Sequence, residues 1–271
     1  MEKGEHQLQW GELQPLPIPE KKWAEVMLDF IVKLPVTNKG NDSILVVVDR
    51  ATKMCHLIPC SEQISAHQTA VLYWENVGKL HGLPQSLNSD RDRRFESAFW
   101  RALWRIMGTT LKMSTAYHPQ SQGQVERTNA VLEQTLRCLI HEMNDSRDWD
   151  ELIHLVEFCI NSQPNRSTGF SPFYLNFGFH PVTPHELLTG KERSSVESVH
   201  RFTRRLHTAF RKAQDNLRTA QEAYKRQYDR HRRQAEFQTG QSVLLSTKNL
   251  RVRGTPHKLQ RRFAGPFRVI E

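Results

Sequence analysis

Between residues 24 and 59 the apolar positions come in short runs rich in strand formers, broken by turn residues. Runs over 24–34, 43–49 and 53–59, the first two separated by Thr37-Asn38-Lys39-Gly40-Asn41, predict an antiparallel meander. The period then changes. Ala66, Ala70, Tyr73, Val77 and Leu80 recur at helical spacing over 65–80, and Gly82 and Pro84 stop the pattern. A short extended piece at 85–89 leads to a helix over 97–107, whose apolar side carries Phe99, Trp100, Leu103, Trp104 and Met107, ended by Gly108. A strand over 110–116 follows. The order β-β-β-α-β-α-β-α is that of an α/β layer fold.

The second half is more helical. Val125, Leu132, Leu136, Leu139 and Met143 mark a helix that starts near Glu126, and 149–160 forms another, its apolar residues reading as packing. The aromatic-rich stretch 170–179 is broken by turns and caps the core. Residues 194–233 form a long basic helix whose narrow apolar stripe, from Val199 through Phe202, Leu206, Ala213 and Leu217 to Tyr224, suits a partner helix better than a deep core. Beyond 237 the pattern returns to strands, with Val243-Leu244-Leu245-Ser246 and Phe267-Arg268-Val269-Ile270 as candidates. Residues 1–20 form a proline-punctuated, extended linker.

Charge adds a division that hydropathy does not show. The chain carries a net charge of +9, yet residues 191–271 hold 20 Lys/Arg against 7 Asp/Glu, so all of the excess lies in the last third. A basic extension beside a mildly acidic core suits a polyanionic partner, although a solvated basic helix would give the same count. Four cysteines at irregular spacing, Cys55, Cys60, Cys138 and Cys159, form no C-x-x-C pair and suggest neither a disulfide framework nor a zinc ribbon. No apolar run approaches the length of a membrane span, so no membrane partner is expected.

Three acids stand out. Asp29 interrupts the apolar run Val26-Met27-Leu28-Asp29-Phe30-Ile31-Val32, where a carboxylate needs a partner or a metal. Asp90 ends the short extended piece before Arg91-Asp92-Arg93-Arg94, and Glu126, thirty-five residues further on, opens a helix after a Gln/Gly-rich loop. Each has a plainer explanation: a strand-end acid such as Asp49 beside Arg50, a turn residue, or a first-turn acid favoured by the helix dipole. Only the three together, which could converge, raise a shared role above these explanations, since carboxylates are the oxygen ligands that hard cations require. His56, His67, His141 and His154 lack a second ligand at metal spacing and read as structural, and Trp100 and Trp104 read as core.

The residues around these acids resemble gypsy-type retrotransposon integrases, relatives of retroviral integrases in the ribonuclease H-like superfamily. The blocks are Leu28-Asp29-Phe30-Ile31, Val46-Val47-Val48-Asp49-Arg50-Ala51-Thr52-Lys53, His81-Gly82-Leu83-Pro84, Ser89-Asp90-Arg91-Asp92, Ser114-Thr115-Ala116-Tyr117-His118-Pro119-Gln120, Gly123-Gln124-Val125-Glu126-Arg127-Thr128-Asn129, Ser171-Pro172-Phe173 and Gly265-Pro266-Phe267. The resemblance implies a ribonuclease H-like core, a mixed five-stranded sheet flanked by helices, over 21–190. It also implies a basic helical connector over 191–233 and a partial C-terminal β-barrel over 234–271 that lacks its final strand. It further implies that Asp29 bridges two Mg²⁺ or Mn²⁺ ions, with Asp90 and Glu126 each holding one, for DNA 3′-end processing and strand transfer. DNA ends and target DNA are the implied partners, in a homo-oligomer and in the nucleus. Candidate DNA contacts are His118, Gln120, Gln122, Gln124 and Asn129 around Glu126, Arg204, Arg205, Arg211 and Lys212 on the long helix, and Arg261 and Arg262. Integrases of this kind carry an upstream His/His/Cys/Cys zinc module. Before residue 55 this chain has only His6 and no cysteine, so it is expected to be a fragment or an element-derived product. The alternatives are a domesticated, catalytically silent nucleic-acid-binding or interaction protein and a ribonuclease H-type nuclease, the latter disfavoured by the block around Glu126.

Overall fold

The computed structural model describes residues 9–10, 15–90, 92–113, 131, 134, 149–182, 199–230, 232–233, 238–246 and 263–270. It divides into two compact units, Pro15–Ala223 and Met1–Gln14 with Tyr224–Glu271. In the second unit, β1 (Gln9–Trp10) pairs in parallel with β7 (Arg232–Arg233), and β8 (Ser242–Ser246) pairs antiparallel with β9 (Phe263–Arg268). The candidate at 243–246 is therefore present, whereas its partner strand begins earlier than expected, at Phe263, and shares only Phe267 and Arg268 with the candidate 267–270. The expected barrel would need strands from residues outside those described.

The first unit is built on a mixed sheet of five strands: β2 (Glu25–Ile31), β3 (Ser43–Asp49), β4 (Cys55–Cys60), β5 (Ser86–Ser89) and β6 (Thr110–Met113). Their order is β4-β3-β2-β5-β6. The antiparallel meander predicted for 24–59 forms β2, β3 and β4, whereas β2, β5 and β6 run parallel. Helices make the parallel crossovers, as parallel pairing requires. The helix expected over 65–80 is α1 (Ala66–Tyr73), continued by a π turn, Trp74–Gly78, and a short α2 (Lys79–His81). Ser65 caps α1 in a capping box with Gln68. The chain leaves α2 through Gly82, whose φ of 78° a side chain would resist. Between β5 and β6, Ser97 caps α3 (Ala98–Ile106).

Strand alternation separates two apolar layers. Val26, Leu28, Leu45 and Val47 face one side and pack with Tyr73, Val77, Phe95, Trp100 and Trp104, so the Trp100/Trp104 pair is core as expected. Ile31, Ile44, Val46 and Val48 face the other side and pack with Trp149, Ile153 and Val156 of α4 (Trp149–Ser162). That helix also closes the β4 edge, whose outward N–H and C=O groups would otherwise be open to another strand. Asn161 accepts from Cys55 N–H (2.9 Å) and donates to Cys55 C=O (2.8 Å), while Glu157 accepts from Leu57 N–H (2.8 Å).

The turn from β3 to β4 is organised by Asp49, fully buried, whose carboxylate accepts from the Trp23, Ala51 and Thr52 N–H groups and the Thr52 hydroxyl. The stretch 170–179 contains α5 (Pro172–Phe177), capped by Ser171 and ended at Gly178. The apolar stripe of the long basic helix, α6 (Val199–Asp229), meets its partner within the chain, since Ala209 and Ala213 pack with Leu175, Phe170 and Tyr174. Side chains of α6 also hold the proline-rich lead-in: Gln214 donates to Pro19 C=O and Gln221 to Leu16 C=O, both at 2.9 Å. The end of that lead-in is therefore strapped to α6 within the first unit, which pattern alone did not reveal. Among the described residues, no helix is long and apolar enough to cross a membrane.

Asn161→Ala leaves a buried donor and acceptor on Cys55 unpaired, at about 1–3 kcal/mol for each. Urea unfolding of the variant should show that loss with an unchanged m-value. A midpoint equal to wild type would mean that the Asn161 bridge does not close this edge.

Candidate active site

Asp29 lies in β2 and Asp90 directly follows β5, and the pairing of these strands brings the two acids together. The register places Leu28 opposite Ser89, the last pair of the ladder, and an aspartate follows on each side: Asp29 within β2 and Asp90 as the first residue beyond β5. Asp29 stands opposite Val46 and so falls on the sheet face that carries Ile31, Val46 and α4, opposite the face of Leu28. Asp29 is half-buried rather than fully buried, and its Oδ1 accepts from Phe30 N–H (2.8 Å). Asp90 is also half-buried. Burial pushes its carboxyl above the usual carboxylate range, with the charges of Asp92 and Glu96 adding to that and the Asp92 N–H and Arg94 opposing it.

The turn after Asp90 is fixed by a clamp. Asp92 N–H donates to Asp90 Oδ1 (3.0 Å), and Arg94 grips Asp92 with two bonds, Nε to Oδ1 (2.7 Å) and Nη2 to Oδ2 (2.6 Å). Burial alone would raise the Asp92 carboxyl, but the bonds and charge of Arg94 outweigh it and hold Asp92 below its ordinary range. The Arg94 guanidinium lies 3.5 Å over the ring of Phe30, the residue after Asp29, and donates to Glu62 C=O (3.2 Å). Arg94 thus ties the Asp90 turn to the Asp29 strand. Sequence reasoning passed over it as one charge in a charged turn, although the Asp92-x-Arg94 spacing is the signal that would have found it.

Glu126, His118, Gln120, Gln122, Gln124 and Asn129 lie outside the described residues, as do Arg261 and Arg262. Among the described residues, no three His, Cys, Asp or Glu side chains gather as a metal site. Of the three acids expected as ligands, only Asp29 and Asp90 lie among the described residues.

Residues 23–119 match the integrase core domain family. That segment of the chain is similar to integrase cores. Over 264 residues, 97% of its length, it is 31% identical to the Transposon Tf2-3 polyprotein of Schizosaccharomyces pombe, and equally so to the Tf2-4 polyprotein. It spans 19% of the length of those polyproteins. Its fold resembles a chain of the simian T-cell lymphotropic virus intasome in complex with PP2A regulatory subunit B56 gamma. That likeness has a TM-score of 0.52 at 16% identity, over 72% of this chain and 66% of that one. The mixed sheet flanked by helices is thus the integrase-core architecture.

The first unit also holds a histidine pair, His56 buried and His81 half-buried. His56, on β4, sets Nδ1 3.0 Å from Glu157 and Nε2 2.9 Å from His81 Nε2. Because an ionised carboxylate only accepts, a neutral His56 donates through Nδ1 and accepts at Nε2 from His81. Trp23 stacks on His81 at 3.6 Å. His56 is structural as expected, but its partner stands 25 positions away and no spacing pointed to it.

On α6, Arg204, Arg205, Arg211 and Lys212 are exposed. Arg205 is engaged within the fold, donating to the Tyr174 hydroxyl (2.7 Å) and to Gly178 C=O (3.4 Å).

Burial, and then the charge of His56, lower the His81 pKa from 6.5 to about 4. The unfolded chain therefore binds more protons between those values. His81 costs no stability above pH 6.5, and its contribution is lost progressively as pH falls toward 4. His81→Phe, which keeps the stack on Trp23, should lose less stability than wild type between pH 7 and pH 5 in urea unfolding. An equal loss in both proteins would remove His81 as a source of acid sensitivity.

Proposed function

We propose that the chain acts as a retroelement DNA integrase core of gypsy type, joining a DNA 3′-hydroxyl to a target phosphodiester after the donor end is trimmed with water. The observation that carries this reading is the Leu28↔Ser89 register, which brings Asp29 and Asp90 to the same end of the β2–β5 ladder, in a segment matched to the integrase core family over 23–119. The donor chemistry fits. Asp29 on β2 and Asp90 just beyond β5, the latter raised by burial and by the charges of Asp92 and Glu96, offer an all-oxygen donor set of the kind a hard divalent cation takes. Asp29 and Asp90 would hold Mg²⁺ or Mn²⁺, with Glu126 as the third ligand by its place in the family motif. When bound, a pair of such ions supplies Lewis-acid stabilisation of the attacking and leaving oxygens.

The chain's own residues orient the reacting ends. Arg94 holds the Asp90 turn against Phe30, which fixes the separation of the two carboxylates. Asn88, two residues before Asp90, has a buried Nδ2 with no hydrogen-bond partner among the described residues, a donor that a phosphate oxygen can satisfy. The basic face of α6 adds sequence-independent affinity. Homo-oligomeric assembly on paired DNA ends, in the nucleus where target DNA resides, completes the proposal.

Strand transfer with a labelled donor duplex in Mg²⁺ or Mn²⁺ tests it. Asp29→Asn and Asp90→Asn should each lower the rate by about 10²–10³-fold or more, the scale of losing a principal charge-stabilising group. Both should keep the wild-type circular dichroism spectrum. Metal-independent activity, or variants as active as wild type, would overturn the assignment. Duplex binding without any strand transfer, even in a chain extended by its flanking segments, would favour the silent DNA-binding protein.

A further inference from the structure

The lead-in to the core is held by contacts that neither the carboxylate site nor the sheet uses. In Pro15-Leu16-Pro17-Ile18-Pro19 the prolines lack an N–H, and the proline after Leu16 and after Ile18 turns both away from helical backbone. The segment is therefore extended, is poor material for a sheet ladder, and offers its carbonyls as its main polar handles. Three of those carbonyls each receive a side-chain donor. Gln221 donates to Leu16 C=O (2.9 Å), Gln214 to Pro19 C=O (2.9 Å) and Arg50 Nη2 to Pro17 C=O (3.0 Å). Arg50 is itself buried and paired with Glu25, which fixes the direction in which it donates.

The two glutamines match the repeat of such a segment. They stand seven residues apart on α6, two helical turns and about 10.5 Å. Leu16 and Pro19 are three residues apart, one turn of a polyproline II helix and about 9 Å. Two turns of α6 thus answer one turn of the extended segment, which runs antiparallel to the helix. Phe210, Gln214, Leu217 and Gln221 form one seam at spacings of four, three and four residues, with Leu217 buried. Apolar side chains interleaved with donors aimed at carbonyls suit the recognition of proline-rich peptides. The segment lies on this seam rather than inside the core: Pro15 and Pro17 are exposed, Leu16 and Ile18 half-buried, and Pro19 buried. Its end is pinned by Lys22, which donates to Asn176 C=O (2.9 Å), and by Trp23, whose Nε1 donates to the Asn176 side-chain oxygen (3.0 Å).

We propose that the α6 seam, together with Arg50, is a recognition site for an extended proline-rich peptide, and that residues 16–19 of this chain are its resident ligand. The site reads carbonyl register: Gln214 and Gln221 select a segment whose carbonyls recur every three residues, and Arg50 takes the one between. This inference goes beyond the integrase reading and does not depend on it. Because ligand and site belong to one chain, the lead-in meets the seam at an effective concentration on the order of millimolar, which keeps a free peptide out until the resident segment is weakened.

The test is fluorescence anisotropy of a labelled peptide of residues 13–22 with the full 271-residue chain. The variant P15G/L16G/P17G/I18G/P19G, which keeps the chain length but loses the stiff segment, should bind the peptide about tenfold or more tighter than wild type does. Adding Q214A/Q221A should cancel that gain, at about fivefold for each hydrogen bond lost. A peptide with alanine in place of its prolines should bind the glycine variant more weakly than the natural one. Equal binding of the natural peptide by wild type and a folded glycine variant would overturn the proposal, as would a gain that survives Q214A/Q221A. Equal binding of the alanine peptide would also overturn it, since the seam would then be merely apolar. Trypsin decides the matter independently of the glycine variant. In an otherwise wild-type chain Q214A/Q221A should speed release of the fragment ending at Lys21 or Lys22 by about tenfold or more, because cleavage follows the population of the opened segment. An unchanged release rate would show that the glutamines do not hold the lead-in and would end the proposal.

Discussion

The parallel pairing of β2 with β5 is the constraint on which the rest of the structure depends. β2 is the central strand and joins the antiparallel meander to the parallel half of the sheet. Its register with β5, Leu28 opposite Ser89, decides which face Asp29 takes and which residue stands beside it. A slip of one residue would turn Asp29 into the layer of Leu45, Val47 and Trp100 and bring Phe30 out. Burying an uncompensated carboxylate there costs far more than the register saves. The apolar alternation of the sheet therefore specifies the acidic site as well as the core.

Two polar devices hold that register at a distance. On the meander side, α4 covers β4 with Asn161 and Glu157, and the His56–His81 contact links β4 to the end of α2, just before the chain enters β5. On the other side, Arg94 joins the turn after β5 to Phe30 of β2 through a cation–π contact and a doubly bonded carboxylate. Asp49 organises the β3–β4 turn and also receives the N–H of Trp23, whose ring covers His81. These groups sit outside the acid pair, yet they set its geometry.

The sequence showed the strands of the meander, the helices around Tyr73 and Trp100, and the long basic helix, because each is a periodic pattern of apolar residues with plain stop signals. The pairing of Asp29 with Asp90 was legible only through the family motifs, since strand order is a long-range property that periodicity does not carry. The partner of the narrow α6 stripe was unreadable for the same reason. Ala209 and Ala213 look like a seam for another helix, and the surface that fills it, Leu175 with Phe170 and Tyr174, comes from an aromatic stretch whose own pattern is irregular. Arg94 and His81 escaped notice because their roles depend on stacking against Phe30 and Trp23, which no spacing rule encodes. Glu126 and its loop keep the standing that the motif gives them.

The central claim is that Asp29, Asp90 and Glu126 share one divalent-metal site. Fe²⁺-mediated hydroxyl-radical cleavage tests it most directly, because Fe²⁺ bound in place of Mg²⁺ cuts the backbone nearest to it and the fragments report that position. The account predicts cuts around residues 29, 90 and 126 that excess Mg²⁺ suppresses and Asp29→Asn removes together. Cuts confined to the His56 and His81 region, or a set at 29 and 90 that never includes the neighbourhood of 126, would contradict it.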